Sequence, residues 1–305
     1  MLRLLKILLL FAGVFLVYDK FFLLIAKRSA EAEVDKRLEY LVKGEINADI
    51  VFIGSSRGAR AIIADQVEKE TGLSAYNLCY PGSNVEFHEF LIRTMIEFNN
   101  TPKMVFLVVD DDTEFEYDNA IIFRKDRLYP LVKYSYIWKE LAERVNRDKF
   151  FSRFLIINRL SKYNFDLSGK KFTPLDTIME RGSMPISWQS NINDRYLKAD
   201  EGSYTREDEV KEYVDAYQEI IKTCKLHNTP LVVVFPPLLR EHSASFEKRI
   251  KELGDANTHY FVYDMDNPRY RNKDYFHDGG HLIREGAEIY SNEVVEYIDS
   301  FYLTN

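Results

Sequence analysis

Asp49-Ile50-Val51-Phe52-Ile53-Gly54-Ser55-Ser56-Arg57-Gly58 is an apolar, β-branched run that ends abruptly in small residues and then an arginine. A short run with no polar face reads as a strand buried on both sides, and such strands belong to parallel sheets covered by helices. In sheets of that kind the functional residues lie just beyond the carboxyl ends of the strands. Ser55 and Ser56 fall there. Alone, Gly54-Ser55-Ser56 reads as a plain turn; the far end of the chain changes its weight.

Outward from this stretch the alternation of strand and helix continues. Asp65–Thr71 reads as a short helix stopped by Gly72, Ala75–Cys79 as a second strand, and Pro81-Gly82-Ser83-Asn84 as a turn opening a helix over Val85–Phe98. Met104–Val109 is a third buried strand closed by Asp110, Asp111 and Asp112. The order resumes after residue 203: Thr205 and Asp208 resemble a capping box for the helix that follows, Leu231–Phe235 and Tyr260–Tyr263 read as strands four and five, Ser245–Leu253 as the helix between them, and a last helix starts near Ile283. This is the pattern of an α/β fold with a five-stranded parallel sheet. From 113 to 203 the alternation breaks down. Amphipathic stretches at Tyr129–Val145 and Lys149–Tyr163 suggest an inserted, partly helical subdomain, because a structureless loop of that length is out of keeping with a compact domain. Its Tyr134, Tyr136, Trp138, Tyr163 and Trp188 either wall a substrate cleft or form the insertion's own core.

The first residues are of a different kind. Leu4–Ala26 is almost wholly apolar, interrupted by Lys6, Asp19 and Lys20. As a helix rising about 1.5 Å per residue it is long enough to cross a hydrocarbon layer of about 30 Å. A retained single-pass anchor over 1–28 is the expectation, followed by a stalk helix over 29–48 and the α/β domain over 49–305. The alternatives are a cleaved signal peptide, with Ala30-Glu31-Ala32 as a weak site, or a helix lying in the interface with Asp19 and Lys20 at headgroup depth. Positive residues flank the span on both sides, so charge alone leaves its orientation open.

Composition narrows the classes of function. With 305 residues, 46% hydrophobic and 29% charged, the chain can bury a sizeable core. The net charge of −7, with Lys and Arg scattered rather than striped, speaks against nucleic acid as a partner. Aromatic residues make up 14%, enough that those left outside the core can stack on sugar rings. Cys79 and Cys224 form neither a metal pattern nor a disulfide framework, and read as buried thiols.

The chemistry-bearing residues come from both ends of the domain. A serine follows the first strand, a glycine turn the second, and Asp278-Gly279-Gly280-His281 follows the last. A hydroxyl nucleophile needs a base within hydrogen-bond reach, and the base needs an acceptor to orient it. The spacing of Asp278 and His281 lets one turn bring the carboxylate to the imidazole. Asp274, His277, Asp278 and His281 would also suit a metal site. His277 otherwise reads as a loop residue, and His88, His227, His242 and His259 as surface or packing residues.

Gly54-Ser55-Ser56 after strand one, Gly82 after strand two, and Asp278-x-x-His281-Leu282 ahead of Gly286-Ala287 together resemble the SGNH (GDSL-like) hydrolase superfamily, and within it a membrane-anchored bacterial branch associated with surface-polysaccharide acylation. The resemblance covers most of Asp49–Asn305 apart from the insertion, and the Asp-x-x-His block is its most specific part. It implies a three-layer α/β/α, flavodoxin-like fold. It also implies a serine esterase or O-acyltransferase acting on acyl, chiefly acetyl, groups of a surface polysaccharide or glycoconjugate, without a cofactor or metal. A membrane acyl-donor protein is an implied partner, and the catalytic domain is expected outside the cytoplasm. Carried over by position, Ser56 is the nucleophile, His281 the base and Asp278 its orienting acid, with the amides of Ser56 and Gly82 as oxyanion donors. Ser55 stands where the family has aspartate. The third donor departs from the pattern: in place of an asparagine after strand three stand Asp110, Asp111 and Asp112, and an ionised carboxylate cannot donate. Asn84 is then either a replacement donor or a helix cap. Arg57 either pairs with these aspartates, Asp111 among them, or holds an anionic sugar. A protein that keeps the fold, has lost activity and binds or assembles polysaccharide is the alternative.

Overall fold

Five parallel strands form one sheet in the order β2-β1-β3-β4-β5: β1 Ile50–Gly54, β2 Ala75–Asn77, β3 Met104–Val108, β4 Leu231–Phe235 and β5 Thr258–Val262. The structure is a computed structural model and describes residues 2–166, 175, 177–190, 204–239 and 242–304. The parts of the expected insertion at 167–174 and 191–203 lie outside the described residues. Every residue of β1, β3 and β4 is buried, as strands with no polar face require. β5, at the edge, is mostly half-buried.

Helices cover both faces. On one, α3 (Ser56–Ala61), α4 (Ala64–Thr71) and the last helix, α12 (Arg284–Thr304), bring Ala59, Val67, Ala287, Tyr290, Val294 and Ile298 onto Ile50, Phe52, Phe106, Val108 and Val232. On the other lie α5 (Val85–Phe98) and α10 (Lys211–Leu226). α5 starts where the sequence indicates, because Asn84 Oδ1 accepts the Phe87 amide at 3.2 Å. α11 (Ala244–Leu253) links β4 to β5 and is capped in the same way by Ser243. The fold is therefore the expected α/β architecture.

The chain divides into two compact units: Lys43–Phe123 with Thr173–Asn305, which holds the sheet, and Met1–Val42 with Arg124–Phe172. The second unit is built from α1 (Leu2–Ala32), α2 (Arg37–Lys43), α6 (Lys125–Leu128), α7 (Ser135–Arg144), α8 (Lys149–Phe154) and α9 (Lys162–Phe165). α1 is long and apolar enough to cross a membrane. Within this unit Tyr134 donates to Glu39 at 2.8 Å, Arg159 lies 4.7 Å over the Trp138 ring, and Tyr163 stacks on Tyr129 at 5.6 Å. These aromatics are taken up by the unit's own packing.

Three local expectations are corrected. The stalk is not one helix: α1 ends at Ala32, and Asp35 starts a new helix by accepting the Arg37 amide at 3.2 Å and its guanidinium at 2.7 Å. Thr205 does not cap α10; its hydroxyl is spent on the Asp208 carboxylate at 2.6 Å, leaving a single 3-10 turn before Lys211. The turn after β1 is in fact the first turn of a helix, α3.

Candidate active site

The chain reverses its winding between β1 and β3, since β2 lies on one side of β1 and β3 on the other. Such a reversal opens a crevice at the carboxyl ends of the two central strands. Ser55 and Ser56 leave β1 into that crevice, and Asp110 and Asp111 leave β3, with Gly54 in register with Val108. Two glycines allow the approach. A Cβ on Gly54 would lie 2.5 Å from the Val108 carbonyl oxygen, and one on Gly58 would lie 2.5 Å from Cys79 Sγ and 3.0 Å from a Val108 methyl. Without side chains there, α3 settles onto the sheet. Ser55 is then the N-cap, its hydroxyl accepting from the Arg57 amide at 3.4 Å. Ser56 becomes the first helical residue, half-exposed.

Ser56, His281 and Asp278 come together. His281 Nε2 lies 2.7 Å from Ser56 Oγ, and Nδ1 lies 2.9 Å from both oxygens of Asp278. Asp278 Oδ1 also accepts the amides of Gly280 and His281, each at 2.9 Å, so the loop is folded around the carboxylate. Burial alone would raise the Asp278 pKa, but the hydrogen bond and charge of His281, followed by the two amides, outweigh it and lower it to about 2. An acceptor of this kind fixes the proton of a neutral imidazole on Nδ1 and leaves Nε2 free to accept.

The turn after β2 is tied to the same strand end. Tyr80 donates its amide to the Gly54 carbonyl at 2.8 Å, and Ser83 Oγ donates to the same oxygen at 3.2 Å. Gly82, at φ 71°, makes the turn. Neither the Ser56 amide nor the Gly82 amide donates to any described residue. Amides left over in this way are the kind of donor that an oxyanion needs.

The other expected residues are each engaged in local structure. The Asn84 side chain is occupied as the α5 cap, with its amide nitrogen donating to Glu86 at 3.2 Å. Arg57 is buried rather than exposed, and donates to the carbonyls of Pro236 at 2.7 Å and Val109 at 3.4 Å. It thus clips the ends of β3 and β4 together. Asp111 is buried, opens a 3-10 turn at φ 61°, and its charge reaches Tyr263.

A polar cluster behind the crevice escaped the sequence reading. His88, read there as a packing or surface residue, is fully buried on α5; its Nε2 lies 2.9 Å from Ser83 Oγ and its Nδ1 3.4 Å from Glu114 Oε1. Glu114 in turn accepts the Asp110 amide at 2.8 Å. Asp110 is pushed above the usual carboxylate range, first by burial and then by Glu114, against the pull of Arg57 and a hydrogen bond from Ser55. The signal lay in spacings between residues four and five apart, Asp110 to Glu114 and Ser83 to His88, of which neither forms a recognised motif. Trp188, read from the sequence as either a cleft wall or part of the insertion's core, lies beside His277 on the loop that carries His281: its carbonyl lies 2.8 Å from His277 Nδ1 and its ring 5.6 Å from the His277 ring. Among the described residues no group of three or more His, Cys, Asp or Glu is placed to hold a metal ion.

No family model matches the chain, and no curated protein matches it. Among solved structures it is similar to an acetyl xylan esterase from the rumen bacterium Butyrivibrio proteoclasticus, at 11% identity and a TM-score of 0.39, over 83% of this chain. The chain spans 64% of the length of that protein.

Proposed function

We propose that the chain is a serine esterase or O-acyltransferase of the SGNH type, held at a membrane by α1, and that it acts on acetyl groups of a surface polysaccharide or glycoconjugate. One observation carries this reading: a half-exposed serine at the switch point, 2.7 Å from an imidazole whose far nitrogen is held by an ionised carboxylate. In the first half-reaction Ser56 Oγ attacks the ester carbonyl and passes its proton to His281 Nε2. The Ser56 and Gly82 amides receive the charge on the carbonyl oxygen. His281 returns the proton to the departing alcohol oxygen as its bond to the carbonyl carbon breaks, which leaves an acyl-serine. Water or a sugar hydroxyl then gives its proton to His281 and attacks the acyl carbon, and His281 returns that proton to Ser56 Oγ as the acyl–Oγ bond breaks. General base catalysis of this kind contributes about 10²–10⁴-fold. In the transferase version a membrane protein delivers the acyl group from the other side, and the sheet-bearing unit stands outside the cytoplasm.

A reading as a non-catalytic polysaccharide-binding or assembly protein is favoured by the residues at the end of β3, where aspartates stand in place of a neutral oxyanion donor. Release of p-nitrophenol from p-nitrophenyl acetate by the full chain, compared with Ser56→Ala, separates the two. Turnover lost in the variant supports the enzyme, and turnover equal in both proteins contradicts it.

A further inference from the structure

α1 is not uniform along its length. From residue 2 to residue 18 it is exposed on every side, and the first buried residue is Asp19, at 1% exposure. Seventeen residues at about 1.5 Å each cover about 25 Å, most of a hydrocarbon layer. A carboxylate inside such a helix is costly in lipid unless its oxygens are taken. They are: Asp19 accepts the amides of Ile156 at 2.8 Å and Ile157 at 3.0 Å, and the neighbouring Lys20 donates to the Phe154 carbonyl at 3.1 Å. Asp19 and Lys20 therefore fasten the end of α8 to α1 at the point where its uninterrupted exposure ends.

The surface fastened there is apolar and aromatic. Phe150, Phe151 and Phe154 are 66%, 54% and 50% exposed, with ring centroids 5.8 and 4.9 Å from Phe150, and Ile157 is 46% exposed. Three phenylalanines facing water on one six-residue helix are a liability for a soluble surface. Basic residues surround them: between 147 and 162 stand Arg147, Lys149, Arg153, Arg159 and Lys162 against one acid, Asp148, in a chain of net charge −7. Aromatic rings among lysines and arginines are the composition of the membrane–water boundary, where the rings enter the acyl edge and the cations meet anionic headgroups.

We infer that α8 is a second membrane contact, lying in the interface beside the anchor with Phe150, Phe151 and Phe154 inserted at the headgroup–acyl boundary of a bilayer containing anionic phospholipid. This rests on the reading of α1 as a membrane anchor and not on the esterase reading. The pairing of Asp19 with the Ile156 and Ile157 amides fixes the depth of α8, and the contact restrains the tilt of the whole 124–165 segment.

The test uses the full chain in vesicles of phosphatidylcholine and phosphatidylglycerol, spin-labelled at Phe151→Cys or Phe150→Cys and, as the anchor reference, at Leu10→Cys. Cys79 and Cys224 are buried, and the parent protein serves as the labelling control. Collision with oxygen, which concentrates in lipid, is compared with collision with a nickel chelate, which stays in water. The expected result is oxygen-dominated relaxation at all three sites, strongest at position 10. Nickel-dominated relaxation at 150 and 151 with an oxygen-dominated position 10 overturns the proposal and leaves the anchor standing. Protection from both reagents at 150 and 151 overturns it in favour of a protein partner. Nickel-dominated relaxation at all three sites overturns the anchor and the proposal together.

Discussion

His281 Nε2 stands 2.7 Å from Ser56 Oγ although the two residues are 225 positions apart. The contact is made by the fold: β1 ends in Gly54, α3 begins at Ser56, and the loop after β5 is wrapped on Asp278 so that its histidine reaches back across the sheet's carboxyl edge. Its consequences are open to measurement.

In the proposed reaction Asp278 orients the base, so Asp278→Asn is expected to keep the fold and lower turnover of an ester substrate by about 10²–10⁴-fold. The pH dependence has a definite sign. Its folded pKa, about 2, lies below the ordinary 3.8, so its stabilising contribution is present above about pH 3.8 and is lost as the pH falls towards 2. Unfolding curves of wild type and Asp278→Asn should converge in that acid window, and an acid limb of activity above pH 4 belongs to another group.

Asp110 has the opposite sign. Burial and Glu114 raise its pKa, so the folded protein is favoured most below about 3.8 and loses that advantage as the pH rises through the raised value. Asp110→Asn cannot ionise. Its melting temperature relative to wild type is expected to climb from pH 4 to pH 7, and a constant difference would show that Asp110 ionises normally.

The cap and oxyanion roles of Asn84 separate cleanly. Loss of a cap in Asn84→Ala costs about 0.5–2 kcal/mol of stability, whereas loss of an oxyanion donor lowers turnover by about 10²–10³-fold. With both polar ends of the side chain engaged at 3.2 Å, denaturant unfolding should move and turnover per folded molecule should not.

Gly54 carries the close approach of β1 and β3. Gly54→Ala places a methyl 2.5 Å from the Val108 carbonyl oxygen, and the strand must shift to admit it. A loss of about 1–3 kcal/mol is expected from such overpacking, read by urea unfolding, together with slower acylation in the proposed reaction because Ser56 moves with the strand.

Much of this was legible in the residues. Leu231–Phe235 and Val85–Phe98 match their sequence bounds, one because a β-branched run has no polar face, the other because Asn84 marks its start. That Ser56, Asp278 and His281 meet could be expected because each follows a strand and two share one loop. α3 was hidden by Gly58, which lowers helix propensity yet is required by Cys79 and Val108 beneath it. The cluster of His88, Ser83, Glu114 and Asp110 was hidden because its members lie on separate elements and pair only after the sheet has formed. The break between α1 and α2 was hidden because Glu33, Asp35, Lys36 and Arg37 suit a continuous helix as well as they suit the buried Asp35–Arg37 pair that starts a new one.

The most direct test of the central claim is covalent modification by a fluorophosphonate, which reacts with a serine only where a base and oxyanion donors activate it. The account predicts a single adduct on intact protein, mapped by peptide mass spectrometry to Ser56 and absent from Ser56→Ala and His281→Ala. An unlabelled wild type, or an adduct that persists in Ser56→Ala, would contradict it.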